Sequence, residues 1–571
     1  MISPSTLDVI GGFMAKYGKV ASAVAPAPVV VEGEAPMMVA PVYENIEHIQ
    51  YDAISYNGIR EANLASFGKR IIPDYDFSKA KVIVSVGCDF LNSWILSTQF
   101  VGQYLINRNP DGAFMSRHFQ FETNMSMTGS NADVRGMIKP SEYGKALAFL
   151  HKEIAGTAVS GVDASSLSAD AQAKLKMAAD ELKANKGASL VVSGSNRKSI
   201  QVVVNSINNA LNNYSSVINL NDPIMMFASE DDKVNTLLKD MTDKKIGALI
   251  MWDTNPAYSL SNGDAFKTAL ANVDMSVSMS RYADETAALC SFICPDHHAL
   301  ESWNDFNPKM SHYSLAQPTI RPLNDTRSSS ESLMVWSGQA AHVGPDSTNF
   351  HDKIKKNWEL YGFPQQTEYL DFHNYWSAHV HNSCGNIMTV PVTAMAFTAD
   401  LASAGKDIAS ISGGEWEISL YQKAGIGSGI QAGNPWLQEM PDPITKVTWD
   451  NYVTMSPADM AAMGLSTEIG QESPSNVVSV KVGEKELLLP VYAQPGQTAK
   501  TIGIALGYGR GENDEKIGRS AYHTDEFGKH QTDDKNKKRV KIGENGFKIA
   551  ANGILEVNAD SITKTAEDNP A

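Results

Sequence analysis

Two short apolar runs closed by polar turns set the cadence of this chain. Residues 246–252 (IGALIMW) end at Asp253-Thr254-Asn255-Pro256, and residues 81–87 (KVIVSVG) end at Cys88-Asp89. Runs of this length bounded by turn formers predict strands buried on both faces. Residues 188–192 give a third strand, followed by the turn Ser193-Gly194-Ser195-Asn196-Arg197 and a helical run over 200–211. Residues 91–107 have helical spacing, and at 118–122 His118, Gln120 and Glu122 alternate with aromatic residues before the turn Gly129-Ser130-Asn131. Strand, turn, helix, strand is the βαβ rhythm of a parallel sheet, in which ligands gather at the carboxyl ends of the strands.

The pattern changes elsewhere. Ser3-Pro4-Ser5-Thr6 opens a capped helix, and the Ala-, Val- and Pro-rich residues 21–42 read as an extended loop insertion. Residues 161–186 predict an exposed helical connection. Residues 336–443, rich in Trp, His, Asn and Gly, predict an irregular segment that wraps other parts or meets a partner. After Trp449, a short helix opens at Ser456-Pro457 and ends at Gly464. Residues 476–511 then alternate apolar and polar with turns at Gly483 and Pro495-Gly496, which predicts a small β-barrel. Residues 529–541 read as a solvated basic loop. The expected division is 1–186, 187–445 and 446–571: two Rossmann-like α/β domains and a barrel.

Composition narrows the class. The chain has 571 residues and a net charge of −16, enough for several cores and adverse to a phosphate backbone, so nucleic-acid binding is excluded. No window approaches the roughly 18 uninterrupted apolar residues of a spanning helix. The four cysteines offer no tight run for an iron-sulfur cluster, which takes thiolates about two residues apart. Cys290 and Cys294 read as a buried structural pair, and Cys88 and Cys384 as isolated thiols able to pair in an oxidising compartment. His297, His298 and Glu301 match no metal signature and read as hydrogen-bonded side chains. His373, His379 and His381, beside Tyr375 and Trp376, read as a partner-facing surface. Asp253, Thr254 and Asn255 offer the mixed donors and acceptors that suit a heterocycle edge.

The order of Gly87-Cys88-Asp89, Asp253-Thr254-Asn255-Pro256, Asp284-Glu285-Thr286-Ala287 and a barrel after the helix at Ser456-Pro457 resembles the molybdopterin oxidoreductase superfamily, whose counterparts are a GTNP loop, a TETA segment and a pterin-binding barrel. The strings SFGKRIIPDYDFSKAKVIVSVGCDFL, MSRHFQFETNMSMTGSNADVRGMIKPSE, CPDHHALESWNDFNP and NPWLQEMPDPITKVTWDNYVTM are similar to one branch, the large iron-sulfur subunit of bacterial alternative complex III. The resemblance implies an α/β fold ending in a double-psi-type barrel, and a longer subunit whose iron-sulfur clusters lie beyond this segment. It implies a quinol:cytochrome c or oxidase-linked respiratory complex on the periplasmic side of the inner membrane. The partners it implies are heme c subunits, quinol-site membrane subunits and a terminal oxidase.

It further implies a molybdopterin-like region without a molybdenum cofactor. Asp253, Thr254, Asn255, Pro256 and Thr286 are then a vestigial pterin pocket, with no catalytic residue and no metal ligand in this chain. Asp253 in place of glycine and the acidic loop at Asp296 add negative charge where a pyrophosphate would sit. The alternative is an active molybdenum-pterin oxidoreductase of the polysulfide reductase type.

Overall fold

The computed structural model describes residues 3–20, 42–340, 349–386, 390–470, 473–511, 517–525, 527–533 and 537–569. The expected loop insertion at 21–42 therefore falls almost wholly outside the described residues.

Alternation along a strand sends successive side chains to opposite faces, so a run apolar at every position needs cover on both. Val82–Val86 is such a run and is buried at all five positions. It lies inside a four-stranded, all-parallel sheet in the order Val134–Met137, Arg117–Glu122, Val82–Val86, Ser189–Ser193. Val82, Val84, Val86, Phe119 and Phe121 pack under the helices Tyr143–Ala155, Ala169–Ala184 and Lys198–Ala210. Ile83, Leu190 and Val192 face the other way, into a cluster with Phe77, Phe90 and Phe100 that continues into the barrel interior at Ile418, Val453, Leu489 and Ile504. One core thus joins sheet to barrel. The helical connection expected over 161–186 is the crossover helix of this sheet, so pairing of Val82 with Ser189 carries the sheet past position 186.

The barrel is a curled seven-stranded half-barrel in the order Glu556–Ala559, Trp416–Tyr421, Thr501–Ala505, Val453–Met455, Lys485–Ala493, Ser475–Val482, Ser561–Asn569. Its second strand comes from the segment read as irregular. That segment also holds the helices Phe350–Asn357, Phe372–Asn382 and Leu401–Ala409, each of only 8–11 residues, so each shows no more than about three turns of its period in the sequence. Beside the helix Pro457–Ala462, Ser456 caps as expected: its Oγ accepts the Asp459 N–H at 3.1 Å. Replacing Ser456 with Ala should cost about 1 kcal/mol, measurable as a lower denaturation midpoint at unchanged m-value.

A second parallel sheet has only three strands, Ala248–Met251, Met275–Ser278 and Phe292–Ile293. The run at 246–252, expected to be buried on both faces, is not. Ala248–Met251 is an edge strand, exposed at Ala248 and buried only at Met251, because a three-stranded sheet leaves its outer strands half covered. An antiparallel five-stranded sheet, Ile72–Tyr75, Ile218–Ile224, Asn304–Lys309, His312–Ala316, Cys384–Asn386, ties segments far apart in sequence. The N-terminal helix Pro4–Tyr17 docks beside it through Asp305, whose carboxylate accepts Ser3 Oγ–H and Ser5 Oγ–H, each at 2.6 Å.

Candidate functional site

The strands Val82–Val86, Arg117–Glu122 and Ser189–Ser193 deliver their carboxyl ends to one crevice, which the half-barrel covers. The backbone there is tight. A Cβ at Gly194 would meet the Gly87 carbonyl oxygen at 2.1 Å, so only glycine lets the two strand ends come together. The crevice encloses about 130 Å³. Its floor carries Cys88, Asp89 and Glu122; its barrel side carries Asp442, Gln494 and Glu556.

Four carboxyl groups therefore share one small cavity, with unequal partners. Asp89 accepts the Thr128 N–H at 3.0 Å, the Thr128 hydroxyl at 2.7 Å and the Asn92 amide at 2.9 Å. Glu122 accepts Arg135 Nε–H at 2.6 Å, Ser126 Oγ–H at 2.5 Å and Gln120 Nε2–H at 3.1 Å. Arg135 in turn donates from Nη1 to the Gly496 carbonyl at 2.7 Å, tying the sheet to the barrel. Glu556 differs, because its Oε2 is shielded from solvent and has no hydrogen-bond partner among the described residues. Burial pushes Asp89, Glu122 and Glu556 above the usual carboxylate range, despite Thr128 at the first, Arg135 at the second and Arg197 at the third. The Cys88 thiol is pushed well up by burial and by Asp89, so it is held as a neutral thiol.

Asp253, Thr254, Asn255, Pro256 and Thr286 lie apart from this cavity. Asp253 is exposed, at φ +48°, and Thr254 is half-buried. Pro256 is buried as the first residue of the short helix Pro256–Ser259. Asn255 and Thr286 are brought together and bind each other. Asn255 Oδ1 accepts the Thr286 N–H at 3.1 Å and its hydroxyl at 2.7 Å, while Thr286 Oγ1 accepts the Ala257 N–H at 3.0 Å. Asn255 Nδ2 donates to Glu285 at 2.7 Å.

Glu285, noted in the sequence only as part of Asp284-Glu285-Thr286-Ala287, is the centre of a second arrangement whose partner Arg510 the sequence pattern did not single out. Arg510 grips it with two parallel hydrogen bonds, Nε to Oε1 and Nη2 to Oε2, both 2.9 Å, and Gly511 N–H adds a third at 3.0 Å. Both side chains are almost fully buried, and the guanidinium lies 4.7 Å from the Tyr258 ring centroid. Burial alone would raise the Glu285 carboxyl; Arg510 and the Gly511 N–H hold it below its usual range instead. The readable signal is Gly507-Tyr508-Gly509-Arg510-Gly511, where glycines at φ +93°, +67° and +75° frame the arginine. The ion pair clamps the segment at 253–257 to the barrel end through the segment at 284–287.

The remaining candidates sort by burial. All four cysteines are free: Cys88 is buried at the cavity and Cys384 is exposed on an edge strand, so they are not bonded. Cys290 packs with Met251 and Phe266, whereas Cys294 packs with Val277 and Trp358; the short strand between them turns them to different clusters, and they form no pair. No group of three or more metal-ligating side chains exists among the described residues. Glu301 accepts the His298 backbone N–H at 2.8 Å, and His297 N–H donates to Asp296 at the same distance. Tyr375, Trp376 and His379 are core, stacked around Trp358, because the helix Phe372–Asn382 turns that face inward; of the expected partner surface only His373 and His381 are exposed.

No protein-family model matches the chain. A curated relative, the menaquinone reductase, molybdopterin-binding-like subunit of Nitratidesulfovibrio vulgaris, is 25% identical over 342 residues, which cover 50% of this chain and 47% of that subunit. The match thus spans about half the relative's length. Among solved structures, acetylene hydratase from Pelobacter acetylenicus superposes with a TM-score of 0.53 at 11% identity, over 89% of this chain and 81% of that one. The fold is that of the molybdopterin oxidoreductases, and the two comparisons relate the chain to that superfamily.

Proposed function

We propose that this chain is a non-catalytic, molybdopterin-like scaffold region of a respiratory oxidoreductase, of the quinol:cytochrome c or oxidase-linked type. It supports the iron-sulfur part of the same subunit on the periplasmic face of a membrane complex, beside heme c and quinol-site membrane subunits. The observation that carries this reading is the chemistry of the crevice. A pterin dinucleotide brings a pyrophosphate, and the crevice at the carboxyl ends of the strands, where open α/β sheets take their ligands, would meet it with Asp89, Glu122, Asp442 and Glu556 around about 130 Å³. Pockets for drug-sized ligands span roughly 300–1,000 Å³. Like charges at short range in a poorly solvated site repel strongly, and Arg135, the guanidinium beside Glu122, gives its Nε to Glu122 and its Nη1 to Gly496, leaving only Nη2, which is buried and without a hydrogen-bond partner among the described residues. The residues present do not fit the cofactor.

The vestigial pocket at Asp253, Thr254, Asn255, Pro256 and Thr286 follows the same logic. Asn255 and Thr286 have turned their donors and acceptors on each other, which converts a ligand edge into a structural clamp. The relation to a menaquinone reductase subunit supports a place in a respiratory assembly. Among the described residues no helix is long and apolar enough to cross a membrane, so contact with quinol chemistry falls to other subunits in this reading. Metal analysis of the purified complex tests it. Iron is expected in quantity with molybdenum and tungsten far below one atom per chain; a stoichiometric metal with extractable pterin overturns the proposal.

A further inference from the structure

We propose that the face formed by residues 297–303, 320–323 and 328–331 is a docking surface for a partner polypeptide that inserts an arginine side chain between Glu331 and Trp303. The inference rests on the reading of the chain as part of an assembly. Two features, each of different character, adjoin here. The first is a pocket of about 290 Å³ lined by His297, Glu301, Trp303, Ser328, Glu331 and His351. The second is a group of exposed apolar side chains, Leu300 at 49%, Ile320 at 43% and Leu323 at 78%. They are physically continuous, because Ile320 N–H donates to the Leu300 carbonyl at 3.1 Å and Leu323 N–H donates to the Glu301 carboxylate at 3.0 Å.

The pocket's unused chemistry selects the occupant. Ser328 caps the helix Ser329–Ser337, with its Oγ accepting the Glu331 N–H at 3.3 Å, and Glu331 stands where a capping-box carboxylate would fold back on the cap. It does not: among the described residues its carboxylate accepts only a 3.5 Å contact from the Phe350 N–H across the pocket. His297 Nε2 is shielded and has no hydrogen-bond partner among the described residues. The Trp303 ring lies 4.4 Å from the His351 ring and forms an aromatic wall. A carboxylate, an imidazole nitrogen, a hydroxyl and an indole face are acceptors and π-surface for a planar cation, which a guanidinium matches with its fork of donors. A net charge of −16 favours a basic partner over an acidic one. Arginine set among apolar contacts is also the composition of an interface hot spot.

The test uses the full chain alone and the intact complex. Calorimetric titration of the chain with N-acetyl-arginine amide is expected to saturate with a dissociation constant on the order of 1 mM, the efficiency of a small polar fragment. The citrulline analogue, neutral and of the same shape, should not bind. Glu331→Gln should weaken the arginine probe about tenfold, the loss of one bidentate charge-assisted contact. In the complex, amides at 297–303 and 320–331 should exchange more slowly than in the chain alone, Leu300→Ser with Leu323→Ser should lower that protection, and the probe should no longer bind. Equal binding of the citrulline analogue, or no effect of Glu331→Gln, overturns the proposal. Undiminished binding of the probe or of agmatine to the complex also overturns it, by making the pocket a site for free small cations. The metal content of the complex is independent of every one of these readouts, so failure here and failure of the scaffold reading are distinguishable.

Discussion

Replacing Arg510 with Ala should lower the unfolding free energy by about 3–5 kcal/mol, the cost of leaving one partner of a buried ion pair uncompensated. Glu285 would keep only the Gly511 N–H and the Asn255 amide in a site from which water is excluded. The loss should exceed that of any exposed pair, such as Lys174 with Asp170, where about 0–1 kcal/mol is the rule. The pH dependence follows from the direction of the shift. The Glu285 carboxyl is held below its unfolded value, so its contribution is present above that unfolded value and is lost as pH falls through the folded one. The difference between wild type and Arg510→Ala should therefore be full at pH 7 and shrink below about pH 4, near the free glutamate value. Chemical denaturation at both pH values measures it. Glu285→Gln combined with Arg510→Met should cost less than the sum of the single changes, because neither charge is then stranded. No shrinkage in acid would assign the loss to packing of the guanidinium on Tyr258 instead.

That ion pair also marks the limit of what the sequence made legible. Val82–Val86 and Ser189–Ser193 were readable because each position is buried and branched aliphatic residues make up most of each run. The cap at Ser456 was readable because its signal is local. Arg510, the ion-pair partner of Glu285, lies 225 residues away, and a bidentate contact at that separation leaves no periodicity to detect. The Trp416–Tyr421 strand did carry a local signal, Trp416, Ile418 and Leu420 alternating with Glu417 and Ser419 after Gly413-Gly414, but its neighbours in the half-barrel are at 501–505 and 556–559, so the sheet it joins could not be read from the residues around it. Ala248–Met251 misled in the opposite sense, since an apolar run reports composition, and only the number of strands beside it decides whether both faces are covered. The site followed the same rule. Asn255 and Thr286 were visible as residue types, but that they would be consumed by each other is a fact of geometry.

Glu556→Gln should stabilise the protein at neutral and alkaline pH, by about 1–3 kcal/mol, the desolvation penalty of one unpaired buried group. Most losses of a buried charge destabilise, so the sign itself is informative. Glu556 shares its crevice with Asp89, Glu122 and Asp442, and its Oε2 has no hydrogen-bond partner among the described residues. Burial raises its folded carboxyl value above the unfolded one, and Arg197 and Ser195 only partly oppose this. A group so raised contributes stability that is complete below its unfolded value and is lost as pH rises through the folded one. Wild type and variant should thus have similar stability near pH 4 and diverge as pH increases, the amide remaining neutral throughout. Melting temperature against pH from 4 to 9 reads this directly. The same measurement bears on function: a crevice that is destabilised by its own carboxylate at neutral pH is poorly suited to a pyrophosphate, whereas unchanged stability across that range would mean that Glu556 is paired and solvated well enough to leave the crevice open to an anionic ligand.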